Sequence, residues 1–148
     1  MLRGASQINL DAKGRLSIPS RYRAQLQETC QGQVVVTVDK DYCLLIYPFP
    51  EWEDVERKLN RLPNLNKQAR RLQRLMIGYA SEVEMDGNGR VLLPKELRAF
   101  AGLEKQVVLL GQGNKFELWD ETRWNENRDA WLAEDDGPLE GELETLSL

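Results

Sequence analysis

The chain contains no histidine among its 148 residues. That removes the commonest general base and the commonest metal ligand. Cysteine is nearly as scarce: Cys30 and Cys43 stand alone, with no metal-ligand spacing between them. Cys43 lies in an apolar, strand-like run, so a buried thiol is expected there. No apolar stretch reaches the roughly 18 residues that a membrane-spanning helix needs. The opening residues Met1-Leu-Arg-Gly-Ala-Ser6 lack the apolar stretch of a secretory signal. No nucleophile–base spacing and no phosphate loop is present. These absences point to a cytoplasmic protein that is not an enzyme and carries no cofactor or metal.

What the chain does have is the composition of a globular protein, 41% apolar and 30% charged. Its net charge of −4 hides an asymmetry. Residues 1–80 carry 13 Lys/Arg against 8 Asp/Glu, a balance of +5, and residues 81–148 carry 7 against 16, a balance of −9. Such a division suggests a basic binding face and an acidic end.

One motif occurs twice, 75 positions apart: Asp11-Ala-Lys-Gly-Arg15 and Asp86-Gly-Asn-Gly-Arg90. The match continues on both sides. Ala5-Ser6 answers Ala80-Ser81, Pro19 answers Pro94, and Arg23-Ala24 answers Arg98-Ala99. A repeat of this length predicts two similar units. Each half alone is near the lower size limit for independent folding, so the halves are expected to pack together or interleave.

Each unit reads as strand, turn, strand, helix, strand, strand, which makes the fold class α+β. Asp11 and Arg15 flank a three-residue hairpin loop, with Gly14 at its left-handed position. Gly89 takes that place in the second copy, after Asn88. Pro19 and Pro94 suit the first position of a helix. These helices are expected to run to about Gln27 and to near Gly102. Gln33–Val38, Leu44–Tyr47, Val107–Leu110 and Phe116–Trp119 read as strands. The units span about 5–52 and 81–124, joined by a helical linker at 53–80. In the linker, Pro50 opens one helix, and a second covers about 66–77. A further helix is expected after Trp124, then a mobile acidic tail within 125–148.

Lys13 and Arg15 sit at a loop tip, with Arg3, Arg21 and Arg23 close in sequence. Arginine can bond guanine bidentately, while lysine acts as a point charge. The plain alternative is a solvated turn in which Arg15 pairs with Asp11. Lys67, Arg70, Arg71 and Arg74 form a basic stripe on one helix face. That stripe could face water, phosphate or an acidic neighbour. Trp52 and Trp124 hold matching places and are expected to anchor the core.

The string Arg3-Gly-Ala-Ser…Asn9-Leu-Asp-Ala-Lys-Gly-Arg-Leu-Ser-Ile-Pro-Ser-Arg-Tyr-Arg23 closely resembles the MraZ family of bacterial transcriptional regulators. So do Tyr47-Pro-Phe-Pro-Glu-Trp52, Met85-Asp-Gly-Asn-Gly-Arg90 and Gly111-Gln-Gly-Asn-Lys-Phe-Glu-Leu-Trp-Asp120. The resemblance implies two tandem AbrB-like (swapped-hairpin) units in one pseudo-symmetric domain. It implies binding to short G-rich direct repeats in double-stranded DNA upstream of the division and cell-wall gene cluster. It also implies ring-shaped homo-oligomers associated with the nucleoid. In that family the Asp-x-x-x-Arg loops mark the DNA contacts. Carried onto this chain, that names Arg15 and Arg90 as contacts, with Lys13, Arg3 and Arg21 beside the first. Asp11, Gly14, Asp86 and Gly89 would position the loops.

The copies differ. Asn88 stands where the first has Lys13, and Glu96 where it has Arg21. The first unit is therefore expected to carry most of the DNA binding. A ring-forming assembly protein and a toxin-binding antitoxin-like module remain as rivals.

Overall fold

The structure, a computed structural model, describes all 148 residues. Its strands are β1 (Leu2–Asn9), β2 (Arg15–Ser17), β3 (Gln33–Val38), β4 (Leu44–Pro48), β5 (Ser81–Glu84), β6 (Arg90–Leu92), β7 (Gln106–Gly113) and β8 (Phe116–Asp120). Its helices are α1 (Ser20–Cys30), α2 (Phe49–Asn60), α3 (Lys67–Met76), α4 (Lys95–Phe100) and α5 (Glu121–Ala133). The fold is thus α+β, and each half repeats the order strand, strand, helix, strand, strand. No helix is long and apolar enough to cross a membrane.

Six strands form one antiparallel sheet in the order β1-β7-β8-β4-β3-β5, and β2 pairs with β6 in a separate two-stranded ribbon. Replacing every strand by its counterpart in the other half gives the same order read backwards. The halves exchange strands: β1 lies on β7, β5 on β3, β4 on β8 and β2 on β6, while β3–β4 and β7–β8 pair within their own halves. Neither half owns a complete sheet.

Alternation along the strands builds two cores. Val34, Val36, Leu44, Ile46, Val107, Leu109, Phe116 and Leu118 face one way, onto α1, α4 and the ribbon. Leu16, Ile18, Val91 and Leu93 of the ribbon strands and the residues after them are fully buried there. Val35, Leu45, Tyr47 and Trp119 face the other way, onto Trp52 and Leu59 of α2. Trp124 packs on this second core, and Met76 and Ile77 close it at the end of α3. Cys43 is buried here, as its strand-like setting predicts.

Several boundaries differ from the sequence expectation. Pro19 and Pro94 are N-caps with extended ψ (140° and 142°), so each helix begins one residue later. The helix of the first half continues to Cys30 and ends through left-handed Gln31. α5 starts at Glu121 rather than after Trp124, because the Asp120 carboxylate accepts the Arg123 N–H and caps it. The Asp11–Arg15 turn is not a β-hairpin. Its arms part, β1 to the sheet and β2 to the ribbon, each pairing with a strand of the other half.

The tryptophans are only partly equivalent. Trp52 is buried against Tyr47. Trp124 is half-buried in a cluster with Trp119 and Trp131, with ring centroids 5.7 to 5.9 Å apart. The acidic segment beyond α5 is exposed throughout and holds a single 3₁₀ turn at Gly141–Thr145.

Candidate nucleic-acid interface

Each repeated motif folds into the same locked turn. The Asp11 carboxylate accepts the main-chain N–H of Lys13 and of Arg15, both at 2.9 Å, and the Nε–H of Arg15 at 2.6 Å. Across the loop neck, Asp11 N–H donates to Arg15 O at 3.1 Å, and Gly14 N–H to Asp11 O at 3.0 Å. In the second copy Asp86 accepts the N–H of Asn88 and of Arg90 at 2.9 Å and Arg90 Nε–H at 3.3 Å. The main-chain N–H of Arg15 is the largest influence holding the Asp11 carboxyl down, at about 2 instead of the ordinary 3.8. Asp86 is lowered for the same reason, through Arg90. A carboxylate that accepts several N–H groups is stabilised in its charged form.

The lock disposes of the Arg15 guanidinium in a specific way. Its Nε is committed to Asp11, while its two terminal nitrogens have no protein partner. Arginine offers five donors in a planar fork. The end-on pair therefore remains available for an outside acceptor, held at a fixed angle by the aspartate. Arg90 is arranged alike, on a looser bond.

The ribbon sets both arginines on one surface. Arg15 lies opposite Leu92 and Ser17 opposite Arg90, and Leu16 pairs with Val91 between them. Side chains of a strand alternate between faces. Leu16 and Val91 point into the core, so Arg15, Ser17, Arg90 and Leu92 share the outer face. Leu92 is 54% exposed, which is unusual for a leucine with a core one residue away. The diagonal between the two arginine Cα atoms is about 8 Å from strand geometry.

The loops are held in place across the halves. Gly14 has φ +82°, and a Cβ there would fall 2.5 Å from the Arg98 guanidinium carbon. Gly89 has φ +75° and sits equally close on Arg23. Leu93 N–H donates to Gly14 O at 3.1 Å, and Ile18 N–H to Gly89 O at 2.8 Å. Arg98 Nε–H in turn donates to Leu93 O and Arg23 Nε–H to Ile18 O. Each loop thus rests on an arginine from the opposite half. Arg23 and Arg98 were visible in the sequence as matched flanks, but nothing local marked them as supports for a distant loop.

The remaining candidates are placed less centrally. Lys13 is exposed at the tip of the first loop. It borders a recess lined also by Lys95, Arg98, Glu82 and Glu84. Arg3 sits at the far end of β1, roughly 20 Å from Asn9 at the loop end of that strand. The Arg21 guanidinium donates to Ser6 Oγ at 2.6 Å and lies 4.6 Å from the Tyr22 ring centre. The cluster that the sequence suggests therefore separates: Lys13 and Arg15 at the loop, Arg3 and Arg21 along β1. The Lys67, Arg70, Arg71 and Arg74 side chains are exposed, opposite the buried Ala69, and make no ion pair within the chain.

Comparison with known proteins supplies the affiliation. The family model described as "MraZ protein, putative antitoxin-like" matches residues 1–75 and again 76–135. The chain belongs to the MraZ family. Two relatives named transcriptional regulator MraZ match over the full length of both chains: one from Thioalkalivibrio sulfidiphilus, 58% identical, and one from Halorhodospira halophila, 59% identical. A third of that name, from Methylococcus capsulatus, is 60% identical over 95% of this chain and 91% of its own. The two MraZ matches meet between Leu75 and Met76, inside α3, at the period of the repeat. An MraZ unit is thus defined by sequence along the chain, whereas every strand except those of its β3–β4 or β7–β8 pair has its only partner in the other unit.

Proposed function

We propose that the chain is a DNA-binding transcriptional regulator that reads base edges with the outer face of its β2–β6 ribbon. Arg15 is the principal contact, Arg90 the second, and Lys13 supplies charge beside the first. The observation that carries this is the free terminal fork of Arg15, aimed by Asp11. A two-stranded ribbon fits the major groove, where an arginine can meet guanine O6 and N7 together. Ser17 can bond a base or phosphate, and exposed Leu92 suits a thymine methyl. Asp11 and Asp86 orient their arginines and face away from phosphate. Arg3 and Arg21 are left to the flanking backbone.

The exchange of strands between halves fits two AbrB-like units, 5–52 and 81–124, closed into one pseudo-symmetric domain. Taken with the family resemblance, the target is a set of short G-rich direct repeats ahead of the division and cell-wall gene cluster, in the nucleoid. One such face gives weak, salt-sensitive binding, because affinity comes largely from counterion release. A ring of identical copies set against tandem repeats raises overall affinity by a factor of roughly 10² to 10⁴ when the spacings agree. Successive copies related by one rotation suit direct repeats better than a two-fold dimer does.

A footprint of the pure protein on its own upstream DNA, with excess non-specific DNA present, tests the proposal. Protection of evenly spaced direct repeats is the expected result. Equal affinity for unrelated sequence would leave a ring-forming assembly protein as the better account.

A further inference from the structure

The basic face of α3 has no partner within the chain. Residues 63–80 hold Lys67, Arg70, Arg71 and Arg74 and no acid. All four side chains are exposed on the side of α3 opposite Ala69 and Met76. Leu65, just before α3, is almost fully exposed, while Leu72 is partly exposed on the side that carries Ala69 and Met76. Elsewhere the chain presents the complement. Residues 134–148 hold six acids and no base, Glu134, Asp135, Asp136, Glu140, Glu142 and Glu144. Among and after them Leu139, Leu143 and Leu146 are about half exposed.

Position in the fold separates the two. α5 lies over β7 and β8, α2 over β3 and β4, and α3 against β3 and α2. Gln73 of α3 donates to Leu59 O of α2, and Thr37 Oγ1 of β3 donates to Met76 O. α2 therefore stands between α5 and α3, and at roughly 8–10 Å per helix contact the two are about 20 Å apart. The acidic segment leaves one side of this layer and the basic face closes the other. Two unlike complementary edges on one chain make a head-to-tail contact between copies.

We propose that the acidic segment 134–148 of one copy docks on the basic face of α3 in a second copy. This rests on the self-association stated above and names the surfaces that join. Leu65 and the half-exposed leucines of the acidic segment favour a protein segment over a nucleic-acid backbone, since phosphates offer Leu65 nothing apolar. The family match ends at residue 135, so almost the whole docking segment lies beyond the shared pattern.

Zero-length carbodiimide coupling, which joins an amine to a carboxylate in contact, tests this on full-length chains. One copy carries Lys67→Arg, keeping the charge and removing the amine. A co-expressed, differently tagged copy carries Glu140→Gln, Glu142→Gln and Glu144→Gln. Only a contact between different copies can then join Lys67 to one of those three glutamates. The expected result is such a coupled peptide by mass spectrometry. It should fall at least about tenfold when Arg70→Glu and Arg71→Glu are added to the Lys67-bearing copy, because attraction becomes like-charge repulsion. Both arginines are exposed, and circular dichroism confirms that the variant folds. Coupling in the wild type but not in the mixed pair would assign the segment to its own α3 and overturn the proposal. So would abolition of coupling by one equivalent of short duplex DNA, which would make phosphate the occupant. Sedimentation of the wild type separates the two readings. An oligomer without coupling removes only the docking, whereas a single chain at every concentration removes self-association as well.

Discussion

Replacing Gly14 by alanine tests whether the first loop depends on the opposite half. Two costs are expected. The residue keeps φ near +82°, where an L side chain is strained by roughly 1–2 kcal/mol. The new Cβ would also fall 2.5 to 2.6 Å from three atoms of the Arg98 guanidinium, so that group must leave. Its departure gives up the Nε bond to Leu93 O, about 0.5–1.5 kcal/mol net. The sum is about 1.5–3.5 kcal/mol, or roughly 3–14 °C in Tm for a chain of this length. Thermal melts at fixed protein concentration, with urea titration, measure it. Gly87→Ala is the control, since a Cβ there meets nothing within 4 Å and φ is not positive. It should shift stability by less than about 0.5 kcal/mol. The decisive comparison repeats Gly14→Ala in an Arg98→Ala background. There only the backbone strain remains, so the cost should fall to roughly 1–2 kcal/mol, a coupling of about 1 kcal/mol. The same cost in both backgrounds would refute the support of one loop by the other half.

Arg15→Ala should weaken DNA binding more than Arg90→Ala, because Arg15 is held at 2.6 Å and Arg90 at 3.3 Å, and because Lys13 has no counterpart. Equal losses in a titration at fixed salt would contradict this. The Asp11 carboxyl has its folded pKa depressed to about 2, so its contribution to the turn is complete above 3.8 and disappears as pH falls through about 2. NMR of the side-chain carboxyl should therefore show no titration between pH 8 and 4, and a midpoint near 3.8 would show that the locked turn is absent in solution. Burial pushes the Cys43 thiol well up, and Cys30 is buried too, so Ellman's reagent should reach neither until the protein unfolds. Rapid labelling of the native protein would place Cys43 outside the core.

Much of the architecture was legible because the repeat is strong and the central strands are β-branched. Gln33–Val38 needs no correction, and Gly14 and Gly89 have the left-handed φ that the turn spacing predicts. The length of β1 was not legible. It is an edge strand whose run Arg3–Gln7 contains one apolar side chain, so the period of two is nearly invisible. The exchange of strands is hidden for a different reason. Local alternation says which residues face a core, but not which strand lies alongside. The spacing of the Asp11–Arg15 turn therefore predicts arms that pair with each other, although each finds its partner in the other half. The same limit applies to the basic residues near the start. Extended chain carries Arg3 away from the loop, and an aromatic ring and a serine hydroxyl hold Arg21 beside β1.

The exchange also changes what the charge asymmetry means. Balances of +5 and −9 for residues 1–80 and 81–148 suggest that only the first loop meets a basic surface. The loops do not stay with their own halves. The first rests on Arg98 and shares recesses with Lys95 and Lys105 and with Glu82, Glu84 and Glu104, all from the acidic half. The second rests on Arg23 from the basic half. Exposed charges act over about a Debye length, roughly 10 Å at 0.1 M salt, so each loop senses these neighbours more than any half-chain total. The acid is also concentrated elsewhere. Residues 121–148 carry 9 Asp/Glu against 2 Lys/Arg, a balance of −7, which leaves only −2 for residues 81–120. Seven of the nine excess charges therefore belong to α5 and the segment beyond it, not to the second loop and its supports. At the loops themselves the difference is Lys13 against Asn88 and the tightness of the Asp–Arg bond, with Arg21 against Glu96 in the helices that follow. Lys13 alone is worth on the order of one phosphate contact, about 0.9 in the slope of log K against log salt.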